Sequence, residues 1–144
     1  MANQFNLQTV IDGPRNLVIK ATGILDTSDL APTLVVLPST TFRVTGPNGN
    51  PPPRVRLNHI DYSIVNNLEV ITYWGNAGGP ILPILPLAGR GRMSFDDIKG
   101  LPNNAAGTDG SIWLSTSGWV AGTEVFSVVF ELIKEGLVYD GGAR

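Results

Sequence analysis

The stretch Thr123 to Lys134, Thr-Glu-Val-Phe-Ser-Val-Val-Phe-Glu-Leu-Ile-Lys, limits what this chain can become more than any other. Phe126, Val128, Phe130 and Leu132 recur at period two, the repeat of an extended strand whose successive side chains point to opposite faces. The alternate positions, Val125, Ser127, Val129, Glu131 and Ile133, are mixed. One face therefore belongs in a core, and the stretch reads as the inner strand of a sandwich. Its half-apolar reverse face needs partial cover, from the chain's own proline-rich segment or from a neighbouring subunit. Ser111 to Thr116, closed by Ser117-Gly118, is expected to join it as a hairpin.

Upstream the same logic recurs. Asn16 to Leu25 sets Leu17, Ile19 and Ala21 against Val18, Lys20, Thr22 and Ile24, with Gly23 marking a bulge or a close backbone approach. Thr33 to Leu37 and Thr40 to Thr45 are short β-branched runs. Arg54 to Ile64 places Val55, Leu57 and His59 on one face and Ile60, Tyr62 and Ile64 on the other. Asn66-Asn67 then supplies a tight turn, and Leu68 to Trp74 returns with Leu68, Val70, Thr72 and Trp74 aligned. Residues 1–12 alternate weakly and read either as a first strand or as an N-terminal arm ordered on a neighbour.

Punctuation completes the picture. With 17 glycines, 11 prolines and 42% hydrophobic residues, the chain is built for short strands and turns. Gly46 to Pro53 is loop, its three consecutive prolines favouring polyproline II. In Pro80 to Ala88 proline recurs every third residue, the repeat of polyproline II, with Ile81, Ile84 and Leu87 along a second ridge and Leu82, Leu85 and Ala88 along a third. Every side of such a helix is apolar. As an inner strand the segment would lack three ladder donors. Ser94 to Gly100 predicts one helical turn with Ser94 as its cap and Gly100 as its stop, and 135–144 reads as a tail. The expectation is an all-β chain: a single-domain antiparallel β-sandwich over residues 1–144, with a jelly-roll among the arrangements open to it and at most one short helix near 94–99.

Composition narrows the chemistry. The absence of cysteine excludes disulfides, thiolate nucleophiles and Cys-ligated zinc. A net charge of −2 gives little support to phosphate-driven nucleic-acid binding. No apolar run approaches the ~20 residues of a membrane span. Met-Ala-Asn-Gln-Phe-Asn lacks a secretory pattern, which sets the expectation of synthesis in a cytoplasm. Charged residues make up only 15%, against roughly 25% in a typical soluble domain, which suits a chain that hides part of its exterior against partners.

Candidate sites are few. His59 is the sole histidine, so any imidazole base must use it, with Asp61 on the same strand face to orient the ring; the alternative is a strand histidine bonded to its neighbours. Asp96 and Asp97, with Asp109 downstream, read as a hard-cation site or as acids of a first helical turn. Arg54, Arg56, Arg90 and Arg92 read as a basic patch for a protein partner or as a salt-bridged strand face. Trp74, Trp113 and Trp119 with Tyr62 and Tyr73 read as a sugar-stacking platform or as core, Trp119 being the best candidate for exposure. No cofactor or metal is implied.

The segments ATGILDTSDLAPT, RVRLNHIDYSIVNNLEVITYW, RMSFDDIKGLPNN and GTDGSIWLSTSGWVAGTEVFSVVFELIK, in that order, resemble a family of small virion structural proteins of tailed bacteriophages, described as head-decoration or cement proteins. The likeness runs from about Gly13 to Lys134 and leaves out the run Pro80 to Pro86. It implies a non-enzymatic protein that is made in the host cytoplasm, sits on the capsid surface of the virion and binds the major capsid protein, copies of itself, or both, without nucleic acid or membrane. A tail, neck or fibre domain and a carbohydrate-binding sandwich are the alternatives. The residues expected at a partner interface are Phe5, Leu7, Pro80, Ile81, Leu82, Pro83, Ile84, Leu85, Pro86, Leu87, Arg90 and Arg92.

Overall fold

Two sheets bury their alternating apolar faces against each other in a computed structural model, which describes residues 3–13, 16–37, 54–65, 67–76, 78–103, 105–135, 138–139 and 142–143. The strand expected at Thr40–Thr45, the loop Gly46–Pro53 and Asn66 lie outside them. The strands are β1 (Gln4–Asp12), β2 (Asn16–Leu25), β3 (Thr33–Val36), β4 (Arg54–Ile64), β5 (Glu69–Asn76), β6 (Gly79–Leu87), β7 (Arg90–Ser94), β8 (Ser111–Ser117), β9 (Glu124–Glu135), β10 (Val138–Tyr139) and β11 (Gly142–Ala143). One sheet runs β1-β2-β9-β4-β7 and the other β3-β8-β5-β6, while β10 and β11 pair apart from both. All pairings are antiparallel. The order β2-β9-β4-β7 over β3-β8-β5-β6 is the strand order of a jelly-roll, so the all-β sandwich expected from the sequence is the fold observed.

The strand β9 lies at the centre of its sheet, paired with β2 on one side and β4 on the other. Phe126, Val128, Phe130 and Leu132 are buried in one core with Leu17, Ile19, Ala21 and Leu25 of β2, with Val36, Val70, Trp74, Leu87, Ile112 and Leu114 of the second sheet, and with Leu68 just before β5. Gly23 is a close approach and not a bulge: β2 stays in register with β9 throughout, and a Cβ at Gly23 would overlap the Phe126 ring.

Three expectations need correction. The stretches Ser111–Thr116 and Thr123–Lys134 do not form a hairpin. They become β8 and β9 in opposite sheets, and residues 118–123 carry the chain across. Gly118 enters that link at φ 91° with its backbone against the Asn67 carbonyl, where a side chain has no room. The strands β4 and β5 are likewise split between sheets, so the turn after Val65 crosses the sandwich. Period two reveals which face of a strand is buried, but both sheets bury identical-looking faces.

The third correction concerns β4. A register shift between Leu57 and His59 inserts Asn58, and the extra residue flips the parity of everything after it. Val55, Leu57, Ile60 and Ile64 all point into the core, while His59 moves to the outer face with Asp61. The helical turn is a single 3₁₀ turn, Asp96–Ile98, with Phe95 at the N-cap position and the Ser94 hydroxyl, one residue earlier, accepting from the Asp96 N–H at 3.4 Å. Residues 4–12 are a paired strand, not a free arm.

Candidate functional site

The proline-rich run is a sheet edge. In place of a polyproline helix, Gly79–Leu87 forms β6 and pairs only with β5 among the described residues. The period of three survives through register shifts at Ile84 and Ile81: Pro86 lies opposite Ile71, Pro83 opposite Tyr73 and Pro80 opposite Gly75. Three residues of β6 thus span two of β5, twice over. Each proline lands on the same outward face, and each step is absorbed by one bulged isoleucine. Proline is tolerated because an edge strand has one side with no ladder to complete. Thr72 steadies the ladder from within, its hydroxyl donating to the Leu85 carbonyl at 3.1 Å and accepting from the Leu85 N–H at 3.2 Å.

Beside these prolines, the outer face of the β3-β8-β5-β6 sheet is aromatic. Leu34, Trp113, Tyr73 and Pro83 are successive partners across all four strands. The polar tips of the two aromatics are satisfied sideways: Trp113 Nε1 donates to Ser111 Oγ at 3.0 Å, and Tyr73 Oη lies 2.9 Å from Ser115 Oγ. Their half-buried rings therefore present apolar surface outward. Of the outward positions on β5, β6 and β8, only Glu69 at one end of β5 carries a charge. Such a surface associates by burial of apolar area, and the prolines stiffen it so that little freedom is lost on contact.

The expected interface residues fall in three places. Pro80, Ile81, Leu82, Pro83 and Pro86 are exposed along β6, with Ile81 at 39% and Leu82 at 43% of their full accessibility. Ile84 and Leu85 are half-buried against the core, and Leu87 is fully within it, paired with Val70, so Leu87 is not available to a partner. Phe5 packs on the core, its ring centroid 6.5 Å from that of Phe126, while Leu7 of the same strand is exposed. Arg90 is exposed on β7. The proline segment does not cover the reverse face of β9, because it lies in the other sheet; Val125 there remains 41% exposed.

Of the arginines expected in a basic patch, Arg56 and Arg92 are each engaged within the chain, and the side chain of Arg54 lies outside the described residues. Arg92 bridges two strands, reaching Asp61 Oδ2 at 2.6 Å and Glu131 Oε2 at 3.1 Å. The Asp61 hydrogen bond, with the charges of Asp61 and Glu131 behind it, raises the Arg92 pKa above its ordinary value, so it stays charged at any working pH. Arg56 caps the 3₁₀ turn, donating to the carbonyls of Ile98 at 3.1 Å, Lys99 at 3.0 Å and Gly100 at 2.7 Å. A shallow groove of about 650 Å³ lies there, between Asn58, Asp96, Ile98 and Ile133.

The histidine site differs from its expected form. His59 Nε2 lies 3.2 Å from Asp96 Oδ2, and its buried Nδ1 has no hydrogen-bond partner. Asp61 turns to Arg92, not to the imidazole. Among the described residues no three His, Cys, Asp or Glu side chains converge on a point where a metal ion would sit. Asp109 instead accepts from the Ser111 N–H at 3.0 Å. Of the five aromatic residues expected to form a platform, Tyr73 and Trp113 come together on the outer face and the other three disperse: Trp74 is core, Tyr62 overlies Gly91, and Trp119 is half-buried with Nε1 donating to the Gly122 carbonyl at 3.0 Å.

Sequence reasoning named Tyr73 and Trp113 among five aromatic candidates but not as neighbours, since no pattern within one strand announces which strand lies beside it. It missed a buried ion pair, Lys134 Nζ with Asp12 Oδ1, backed by the Gly13 carbonyl at 2.7 Å. That one had a signal: Lys134 continues the inward parity of Phe126, Val128, Phe130 and Leu132. Comparison with family models, curated proteins and solved structures finds no match.

Proposed function

We propose that this chain is a non-enzymatic virion protein of a tailed bacteriophage that binds the capsid surface and stabilises the head. The observation that carries the reading is the β6 edge: an exposed, uncharged run of proline, isoleucine and leucine continuous with an aromatic sheet face. Burial of such a surface against a capsid subunit stabilises both partners, and many weak copies on a rigid lattice resist expansion together. The resemblance to head-decoration proteins points the same way, and jelly-rolls serve as viral capsid domains as well as lectins, which is support by analogy of fold. The partner on this reading is the major capsid protein, and the location is the capsid surface of the virion after synthesis in the host cytoplasm.

The test is incorporation into particles. Ile81→Asp combined with Leu82→Asp places two charges on the exposed edge and leaves the core intact. The doubly substituted protein is expected to fold with an unchanged unfolding midpoint and to bind heads lacking the protein about 100-fold more weakly, as two buried charges at a contact imply. Full incorporation of that variant contradicts the reading. Copy number separates the head from the tail, neck or fibre alternative: on the order of hundreds per particle for a head lattice, a dozen or fewer for the others. The Tyr73–Trp113 face is the one feature that favours a carbohydrate-binding sandwich. Glycan-array binding that is lost in Trp113→Ala would establish that reading in its place.

A further inference from the structure

A sandwich of two open sheets has four edges, and an exposed edge is a template for pairing with another chain. Among the described residues, three of the four are blunted. The edge strand β3 spans only Thr33–Val36 and carries a register shift. The edge strand β6 holds three prolines and two bulges. The edge strand β7 carries Arg90 and Arg92 within five residues. The fourth, β1, has none of these devices over most of its length. From Gln4 to Thr9 it runs in unbroken register with β2, with a single shift beyond Thr9, and from Gln4 to Ile11 it contains no charge, no proline and no glycine. Among the described residues it pairs with β2 alone. Apart from Phe5, which packs on the core, the apolar side chains of Gln4–Ile11 are exposed, with Leu7 at 43%, Val10 at 51% and Ile11 at 48%.

We propose that β1 is a self-association edge, on which a second copy of this chain pairs antiparallel about a two-fold axis to join the two β1-edged sheets into one. A second copy is the partner that charge leaves open. In an antiparallel two-fold pair residue i of one strand faces residue j of the other and j faces i, with one residue on the axis facing its own copy. Like charges on a strand, or a charge on the axis, can then be set directly opposite one another, which is destabilising. The uncharged run Gln4–Ile11 avoids this in every register; β7 does not, since an axis at Gly91 would oppose Arg90 and Arg92. Asp12, the one charge in β1, is already committed to Lys134. Pairing completes the backbone ladder on the free side of β1 and brings its exposed leucine, valine and isoleucine against a partner strand. This edge lies in the other sheet from β6 and stands whether or not β6 contacts a capsid.

The experiment is sedimentation equilibrium on the full chain up to about 100 µM, where a Kd of about 10 µM already populates the dimer. The expected result is a mass moving from 15.3 kDa towards twice that value as concentration rises. Lys and Glu, each placed at the position that a scan with single cysteines sets opposite its own copy, are expected to be monomeric alone and to form a mixed dimer together, a rescue that loss of folding cannot imitate. A second readout uses the absence of cysteine: with single cysteines placed in turn from Gln4 to Ile11, an antiparallel two-fold pair brings one position opposite its own copy, within the roughly 4.4 to 6.8 Å between Cα atoms that a disulfide needs. One crosslinking position supports the proposal. A wild-type chain that stays monomeric throughout, a dimer indifferent to Lys at the crosslinking position, or crosslinking that is absent or uniform along the strand overturns it.

Discussion

Gly23 keeps its place in β2 because the Phe126 ring occupies the space a Cβ needs. Gly23→Ala is expected to cost about 1 to 3 kcal/mol through overpacking, seen as a lower urea midpoint, and to cost less in a Phe126→Leu background because the two positions share one space. Charges at two depths give a second contrast. Lys134 and Asp12 are enclosed, whereas Arg92 and Asp61 face solvent. Asp12→Ala strips a partner from a buried charge and is expected to lower stability by about 3 to 5 kcal/mol. Arg92→Ala is expected to change it by about 1 kcal/mol or less, since exposed pairs are screened. Denaturant titration of both variants measures the difference. The inward parity of Lys134 was legible from the sequence, but its partner was not, because Asp12 comes from the opposite end of the chain.

At the scale of elements, β6 shows how a sequence period can be read correctly and still be placed in the wrong structure. A three-residue proline repeat matches polyproline II, yet the chain converts it into two-residue pleats by bulging at Ile81 and Ile84. Nothing local distinguishes the two outcomes; the neighbour β5 decides. The same holds for β4, where Asn58 carries no mark of a bulge, and for the crossings after β4 and β8, where turn residues suit a sheet switch as well as a hairpin. What the prolines do there is testable. Replacing Pro80, Pro83 and Pro86 together with Thr restores three backbone donors and removes the edge protection. The variant is expected to keep its β circular dichroism and to associate further by light scattering than the wild type at equal concentration.

Across the whole molecule, one buried cluster joins both sheets, and the accessible surface of 7344 Å² is close to the roughly 7,000 Å² expected for a folded chain of this mass. Unfolding is therefore expected to be one cooperative step, with tryptophan fluorescence and far-ultraviolet circular dichroism giving coincident transitions. The sandwich was legible from period-two faces and from the scarcity of helical patterns; strand order was not, because it depends on contacts between residues far apart in the chain. The candidate surface was half legible. Its apolar edge stood out as a run of proline, isoleucine and leucine, while the aromatic row beside it exists only once β3, β8, β5 and β6 are set side by side. The central claim is that this surface faces a capsid. A reconstruction of the intact particle into which the chain is incorporated on that reading tests it most directly. The account predicts the sandwich on the outer face of the head in many symmetry-related copies, with Pro80–Pro86 against a capsid subunit. Density for the chain confined to the tail or neck, or a head-bound copy whose β6 edge points into solvent, would contradict it.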